Sequence, residues 1–168
     1  MYSKDSDKTE DSGRQGARKP ELGVLRGGGG GGGGEQAGDS ALAREFAQRA
    51  LAPLISDLRG RSGRLDGRKV AGAVGLTVEQ LAGCLELSVD AVTKSPPPPG
   101  LEPRLDPFAM VIGIVRDVYG GDSKRVRTWL RTPRPELDGQ TPIDALCEPS
   151  GIDRVVQFVL GAWLRNAD

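Results

Sequence analysis

The chain has no histidine. That removes the commonest general base and the commonest metal ligand together. Cysteine is nearly as scarce. Cys84 and Cys147 stand far apart, each in a segment of apolar periodicity, and two thiols without an imidazole make a poor metal set. They read as two small buried hydrophobes. No stretch approaches the roughly 18 apolar residues of a membrane span, and no signal-peptide core opens the sequence. A cytoplasmic location with no membrane partner is therefore expected. Neither charge sign dominates, with 23 Lys and Arg against 23 Asp and Glu, so no global field draws the protein toward nucleic acid. Carboxylates are not paired either: Asp117, Asp122, Asp138, Asp144 and Asp153 fall on different elements, and no serine or cysteine has a histidine partner. The chain is not expected to be an enzyme, and no catalytic residue, metal site or cofactor is expected. Strand-like alternation is also missing, so the expected fold class is all-α, a small helical bundle.

Glycine, by contrast, is abundant and uneven. Gly27 to Gly34 form an unbroken run of eight. Before it, only Tyr2, Leu22, Val24 and Leu25 are sizeable apolar residues, too few to offset the chain entropy of folding. Residues 1–38 are expected to be a disordered tail, with the glycine run a flexible spacer. A phosphate-binding loop is excluded, because no strand precedes the run and no Lys-Ser/Thr opens a helix after it.

Helical signals begin at Ser40, a candidate cap for ALAREFAQRALAPLISDL. Its apolar positions Leu42, Phe46, Ala50, Leu51, Leu54, Ile55 and Leu58 fall at helical spacing, and Pro53 kinks or splits the helix. A loop, RGRSGRL, follows. Val70, Ala73 and Val74 share the face of the next helix, which Gly75 ends. Thr77 and Gln80 have capping-box spacing before VEQLAGCLE, and Ser88 caps VDAVTKS. Two short helices and a tight turn make a helix-turn-helix pattern, with Leu81, Ala82, Leu85, Leu87 and Val92 at its apolar positions. Glu86 stands where such a turn usually has glycine, which predicts a longer or altered turn. The candidate base readers are Ser88, Asp90, Thr93 and Lys94, a set without the Arg, Asn or Gln that makes bidentate base contacts. Phosphate contacts would come from Arg59, Arg61, Arg64, Arg68 and Lys69. DNA binding would imply a homodimer on a palindromic operator. The plainer reading is a structural remnant that packs and dimerises.

Pro96 to Pro99 predict an extended spacer. From Pro107, FAMVIGIVRDVYG is apolar nearly all round and should be the central helix. Asp122 or Ser123 caps a helix ending at Trp129-Leu130 before Pro133 and Pro135, with Lys124, Arg125 and Arg127 on its solvated face. The last helix, from Gly151, carries Ile152, Val155, Val156, Val159, Leu160, Trp163 and Leu164 as its apolar stripe.

Between these two helices lies the most individual stretch. In WLRTPRPELDGQTPIDAL, Trp129 and Leu130 are anchors, Asp138-Gly139 makes a turn, and Thr141-Pro142 starts a helix at a fixed angle. This arrangement, with the Val-rich terminal helix, resembles the toxin-binding domain of the MbcA/ParS/Xre antitoxin family. Leu137-Asp138-Gly139 matches the family's Leu-Gly-Gly-like turn, with Asp for the first Gly. The similarity runs from about Phe108 to the C-terminus, and the upstream motif is similar to the Xre-like helix-turn-helix that accompanies the domain. The resemblance implies three regions: a tail over 1–38, a helix-turn-helix region over 39–100, and a toxin-binding domain over 101–168. It implies an antitoxin whose partner is a RES-domain toxin, an NAD-consuming enzyme. The antitoxin's C-terminal helices would cover the toxin's active site, and it would also repress its own operon. Toxin contacts would involve Trp129, Leu130, Leu137, Gly139, Thr141, Pro142, Trp163, Leu164, Arg165 and Asn166. The rival reading is a stand-alone helix-turn-helix transcription regulator whose C-terminal part only dimerises.

Overall fold

The computed structural model describes the backbone of residues 36–166 and the side chains of residues 41–166. The tail expected over 1–38 lies, through residue 35, outside the described residues.

Among the described residues the protein is all-α. Helix α1 (Gln36–Leu51) starts before Ser40, the expected cap. Pro53 ends α1 as expected, and a 3₁₀ helix, Ala52–Leu58, takes over with the proline in its first turn. Arg59 and Leu65 pair across the next turn. Helix α2 (Gly67–Val74) is capped by Asp66, whose carboxylate accepts from the amides of Arg68 and Lys69, and is closed by Gly75 at φ 77°. Helix α3 (Val78–Cys84) has the full capping box: the Gln80 amide donates to Thr77 Oγ1 at 3.1 Å, and the Thr77 amide donates to Gln80 Oε1 at 2.9 Å. Helix α4 (Val89–Thr93) is a single turn capped by Ser88.

The turn between α3 and α4 is not lengthened. Glu86 simply takes the left-handed conformation, φ 55°, that glycine would take more cheaply. The proline run is not a free spacer either. Pro97 is buried and its carbonyl accepts from Arg64 at 3.3 Å, so the run folds back onto the loop before α2.

Helix α5 (Glu102–Val118) begins five residues before Pro107, the expected start. Pro103 lies in its first turn, where a missing N–H costs nothing, and Pro107 forfeits one backbone bond inside the helix. Phe108 to Val115 are buried without a break, which makes α5 the central helix that its all-round apolar sequence predicts. Helices α6 (Ser123–Leu130), α7 (Pro142–Cys147) and α8 (Pro149–Arg165) follow, with a 3₁₀ turn at Pro135–Leu137 between α6 and α7. Asp122 is the cap of α6 and Thr141 that of α7, while α8 starts two residues before Gly151.

Around α5 the apolar side chains form one continuous cluster, from Ala47 on α1 to Trp163 on α8. Helix α2 is tied to α6 by two guanidinium groups: Arg127 Nη2 donates to Gly72 O at 3.0 Å, and Arg131 donates to Gly75 O. Both place positive charge on the negative end of the α2 dipole.

The two cysteines depart from expectation. They are not independent buried hydrophobes but a disulfide, Cys84–Cys147, with Cα atoms 4.7 Å apart. Both are half-buried. The C-terminal ends of α3 and α7 meet here, beside the first turns of α5, across a sequence separation of 63 residues.

Candidate partner-binding surface

The loop between α6 and α7 is closed by its own backbone. The amides of Leu137 and Gly139 donate to Arg134 O at 3.0 and 2.9 Å, and the Arg134 amide donates to Gln140 O at 3.0 Å. Two consecutive left-handed residues, Asp138 at φ 56° and Gly139 at φ 81°, turn the chain. Arg134 lies over the Trp129 ring, 5.1 Å from its centroid, at cation–π distance. Arg154 on α8 reaches back to the loop, donating to the Asp138 carboxylate and, at 3.2 Å, to Gln140 Oε1. Gln140 in turn donates to Glu148 Oε1 at 3.0 Å. Gly151 sits so close to Ala145 O that a Cβ would collide with that backbone, which fixes how α8 leaves α7.

At the other end of α8, Trp163 Nε1 donates to Asp117 Oδ2 at 3.0 Å. This pins the helix end to the end of α5. Leu164 is half-buried, while Arg165 and Asn166 are exposed, and Asn166 Nδ2 donates to Ala162 O at 2.8 Å. Helix α1 crosses α8 here. Arg44 pairs with Asp153 at 3.0 Å, and the Phe46 ring packs on Trp163 at a centroid distance of 6.1 Å.

Residues 115–164 match the antitoxin Xre/MbcA/ParS C-terminal toxin-binding domain family. The match supports the role of an antitoxin in a toxin–antitoxin pair, and a toxin-binding domain implies a toxin as partner. It also points to a regulatory rather than an enzymatic protein. No curated protein and no solved structure matches the chain. No described helix is long and apolar enough to cross a membrane.

The expected contact residues fall into two groups, and Arg165 and Asn166 lie just past the matched residues 115–164. Trp129, Leu130, Leu137, Gly139, Thr141 and Pro142 gather at the α6–α7 joint. Trp163, Leu164, Arg165 and Asn166 lie at the end of α8, about 14 to 18 Å along the helix from Arg154 at 1.5 Å per residue. Trp129, Leu130, Leu137, Pro142 and Trp163 are buried, so they shape the surface from beneath. Gly139, Arg165 and Asn166 are exposed, with Thr141 and Leu164 between.

Three contributors were not read from the sequence: Asp117, which orients Trp163; Arg154, which braces the loop; and Phe46. Leu42 and Phe46 fall at helical spacing with Leu51, Ile55 and Leu58 but do not share their burial. They are 67% and 57% exposed, whereas Ala47 and Leu51 are buried.

Helices α3 and α4 pack as a pair, with Val92 and Gly67 holding α4 against α2. Asp90 and Lys94 are exposed, but the Ser88 hydroxyl accepts from the Ala91 amide and the Thr93 hydroxyl donates to Val89 O. Arg59 bonds Glu102 and Gly63 O, Arg64 bonds Pro97 O, and Lys69 bonds Arg59 O. Arg61 and Arg68 are exposed.

Proposed function

We propose that the chain is the antitoxin of a RES-type, NAD-degrading toxin and silences it by steric cover, laying the end of α8 across the toxin's active-site opening. One observation carries the reading: residues 115–164, matched to a toxin-binding domain, form a braced helical unit, and the exposed Arg165 and Asn166 follow directly after it. No catalytic role is assigned to the chain. The cover needs only shape and a fixed helix end, which the Trp163–Asp117 bond and the Arg154 brace supply. The RES identity of the toxin rests on the family resemblance.

Repression of the operon through α3 and α4, by a homodimer on operator DNA, is the secondary role in this proposal. Lys94, Arg61 and Arg68 would supply the phosphate contacts. Several of the other expected readers already spend their polar atoms within the fold, which favours the antitoxin over the stand-alone regulator. Both roles place the chain in the cytoplasm. The working division into a tail (1–38), a helix-turn-helix region (39–100) and a toxin-binding domain (101–168) goes with this reading.

The test is co-expression with the protein encoded beside it, reading cellular NAD and co-purification. The wild-type chain should preserve NAD and elute with the toxin. Arg165→Glu, at an exposed position, should cut protection at least tenfold with an unchanged melting temperature. Depletion of NAD in the presence of abundant wild-type chain would overturn the proposal.

A further inference from the structure

Helix α1 carries two apolar stripes. Ala43 and Ala47 face the core, and Leu51 is buried below them. Leu42 and Phe46, one turn apart, point outward and are 67% and 57% exposed. A helix needs one apolar stripe to dock on its own protein. A second one, with an aromatic residue in it, is a surface waiting for a partner.

We propose that the Leu42–Phe46 face is a second anchor for the same partner protein, seated in an apolar recess beside the site that receives the end of α8. The inference rests on the antitoxin reading above. What commits the face to that partner is continuity. The Phe46 ring packs on Trp163 at 6.1 Å, and Trp163 belongs to the segment matched to a toxin-binding domain. Asn166 lies three residues further along α8, on the same side of the helix as Trp163, so the apolar patch and the exposed Asn166 are neighbours. Helix α1 itself lies outside the matched segment, so it would enlarge the contact beyond what that domain offers alone.

The patch is also held in place. Arg44 pairs with Asp153 of α8 at 3.0 Å, and Ala47 is fully buried against the core. The exposed Glu45–Arg49 pair lies along the same helix. An aromatic anchor with charged groups at its border is the usual make-up of an interface hot spot, where a few residues carry most of the affinity. The partner surface opposite must therefore offer a hydrophobic recess sized for a phenyl ring.

The experiment measures the affinity of the full chain for the purified RES-type toxin, with Phe46→Ser, Leu42→Ser and Phe46→Leu beside the wild type. Circular dichroism, melting temperature and the mass of the free chain in solution are recorded for each. Phe46→Ser should weaken binding by about 30-fold, the size of a hot-spot loss, and Leu42→Ser by less. Phe46→Leu should recover most of the affinity, and the fold should be unchanged. Equal affinities for the wild type and Phe46→Ser would overturn the inference and leave the antitoxin reading standing. So would a variant that changes only the mass of the free chain, because the face would then serve self-association. A wild-type chain that fails to bind the toxin would sink the antitoxin reading, and this inference with it.

Discussion

Glu86 and Asp138 occupy left-handed positions at φ 55° and 56°, where glycine is the cheap choice. Aspartate tolerates that region better than glutamate does, because its short side chain can bond locally. Asp138 is also engaged by Arg154, so a residue other than glycine at this turn gains an ion pair in exchange. A third acid, Asp106 on α5, is half-buried beside Gln48, Leu51, Arg59, Glu102 and Met110 in a cavity between α1 and α5. Burial pushes its carboxyl above the ordinary value of 3.8, and the nearby Glu102 adds to the rise, while Arg59 opposes it. A folded-state pKa above the unfolded one means the native chain holds the extra proton. The contribution of this group to stability is then fully present in acid and is lost as pH rises through that window. Asp106→Asn removes the ionisation. At pH 7 the variant should melt a few degrees higher than the wild type, and the gap should close as pH falls toward 4. Thermal melts at both pH values check this, and a gap independent of pH would refute it. The local signals at this scale, Gly75, Thr77 with Gln80, Ser88 and Thr141, were legible because each cap is written within four residues. The environment of Asp106 was not, because it depends on a helix some 60 residues away.

At the scale of elements, the joint from α6 to α8 was the most readable part of the chain. Its prolines, its Asp138-Gly139 turn and its Thr141-Pro142 start are all local chemistry. The inward face of α1 was less so. Leu42 with Phe46 and Ala43 with Ala47 both have helical spacing, and periodicity alone favours the larger pair. The structure turns the alanines inward, Ala47 fully and Ala43 partly buried, and α1 and the 3₁₀ helix approach α5 closely where Gly113 faces Leu51 and Ile55. Small residues permit that approach and large ones would prevent it. Backbone proximity sets the α7–α8 joint in the same way. A Cβ on Gly151 would run into Ala145 O, which is backbone and cannot rotate aside. Gly151→Ala should therefore swing α8 away from α7, at a cost of about 1–3 kcal/mol. It should also weaken toxin binding, since the whole of α8 moves with its first turn. Gly161→Ala, at a position whose Cβ would meet only the end of the Arg165 side chain, is the matched control. Denaturant unfolding of the two variants should separate them, and equal midpoints would show that the α7–α8 contact is slack.

For the whole molecule, the core is continuous through α5, but α3 is joined to α7 by a covalent bond. Two cysteines allow a single internal pairing, but nothing in the sequence shows that Cys84 and Cys147 meet across 63 residues, because only the fold brings the ends of those helices together. The two half-buried cysteines line a groove of about 320 Å³ with Leu85, Glu86, Pro103, Arg104 and Ile152. Thiol pools of a reducing compartment keep such pairs open, and a disulfide that persists there is usually a redox-responsive one. The cytoplasmic location proposed for an antitoxin and the bond seen here therefore make a joint prediction. Closing a loop of this length restricts the unfolded chain by an amount worth about 4 kcal/mol in the chain-entropy view. The oxidised chain should unfold at a distinctly higher urea midpoint than the same chain in dithiothreitol. Cys84→Ser should match the reduced wild type and lose all response to reductant. The helices of the reduced form should persist, because α2, α6 and α8 still meet on α5, and the loss should fall first on α3 and α4. Amide exchange with and without reductant would locate it. Uniform loosening of every helix would mean that the bond holds up the core as a whole rather than fastening one unit to its side.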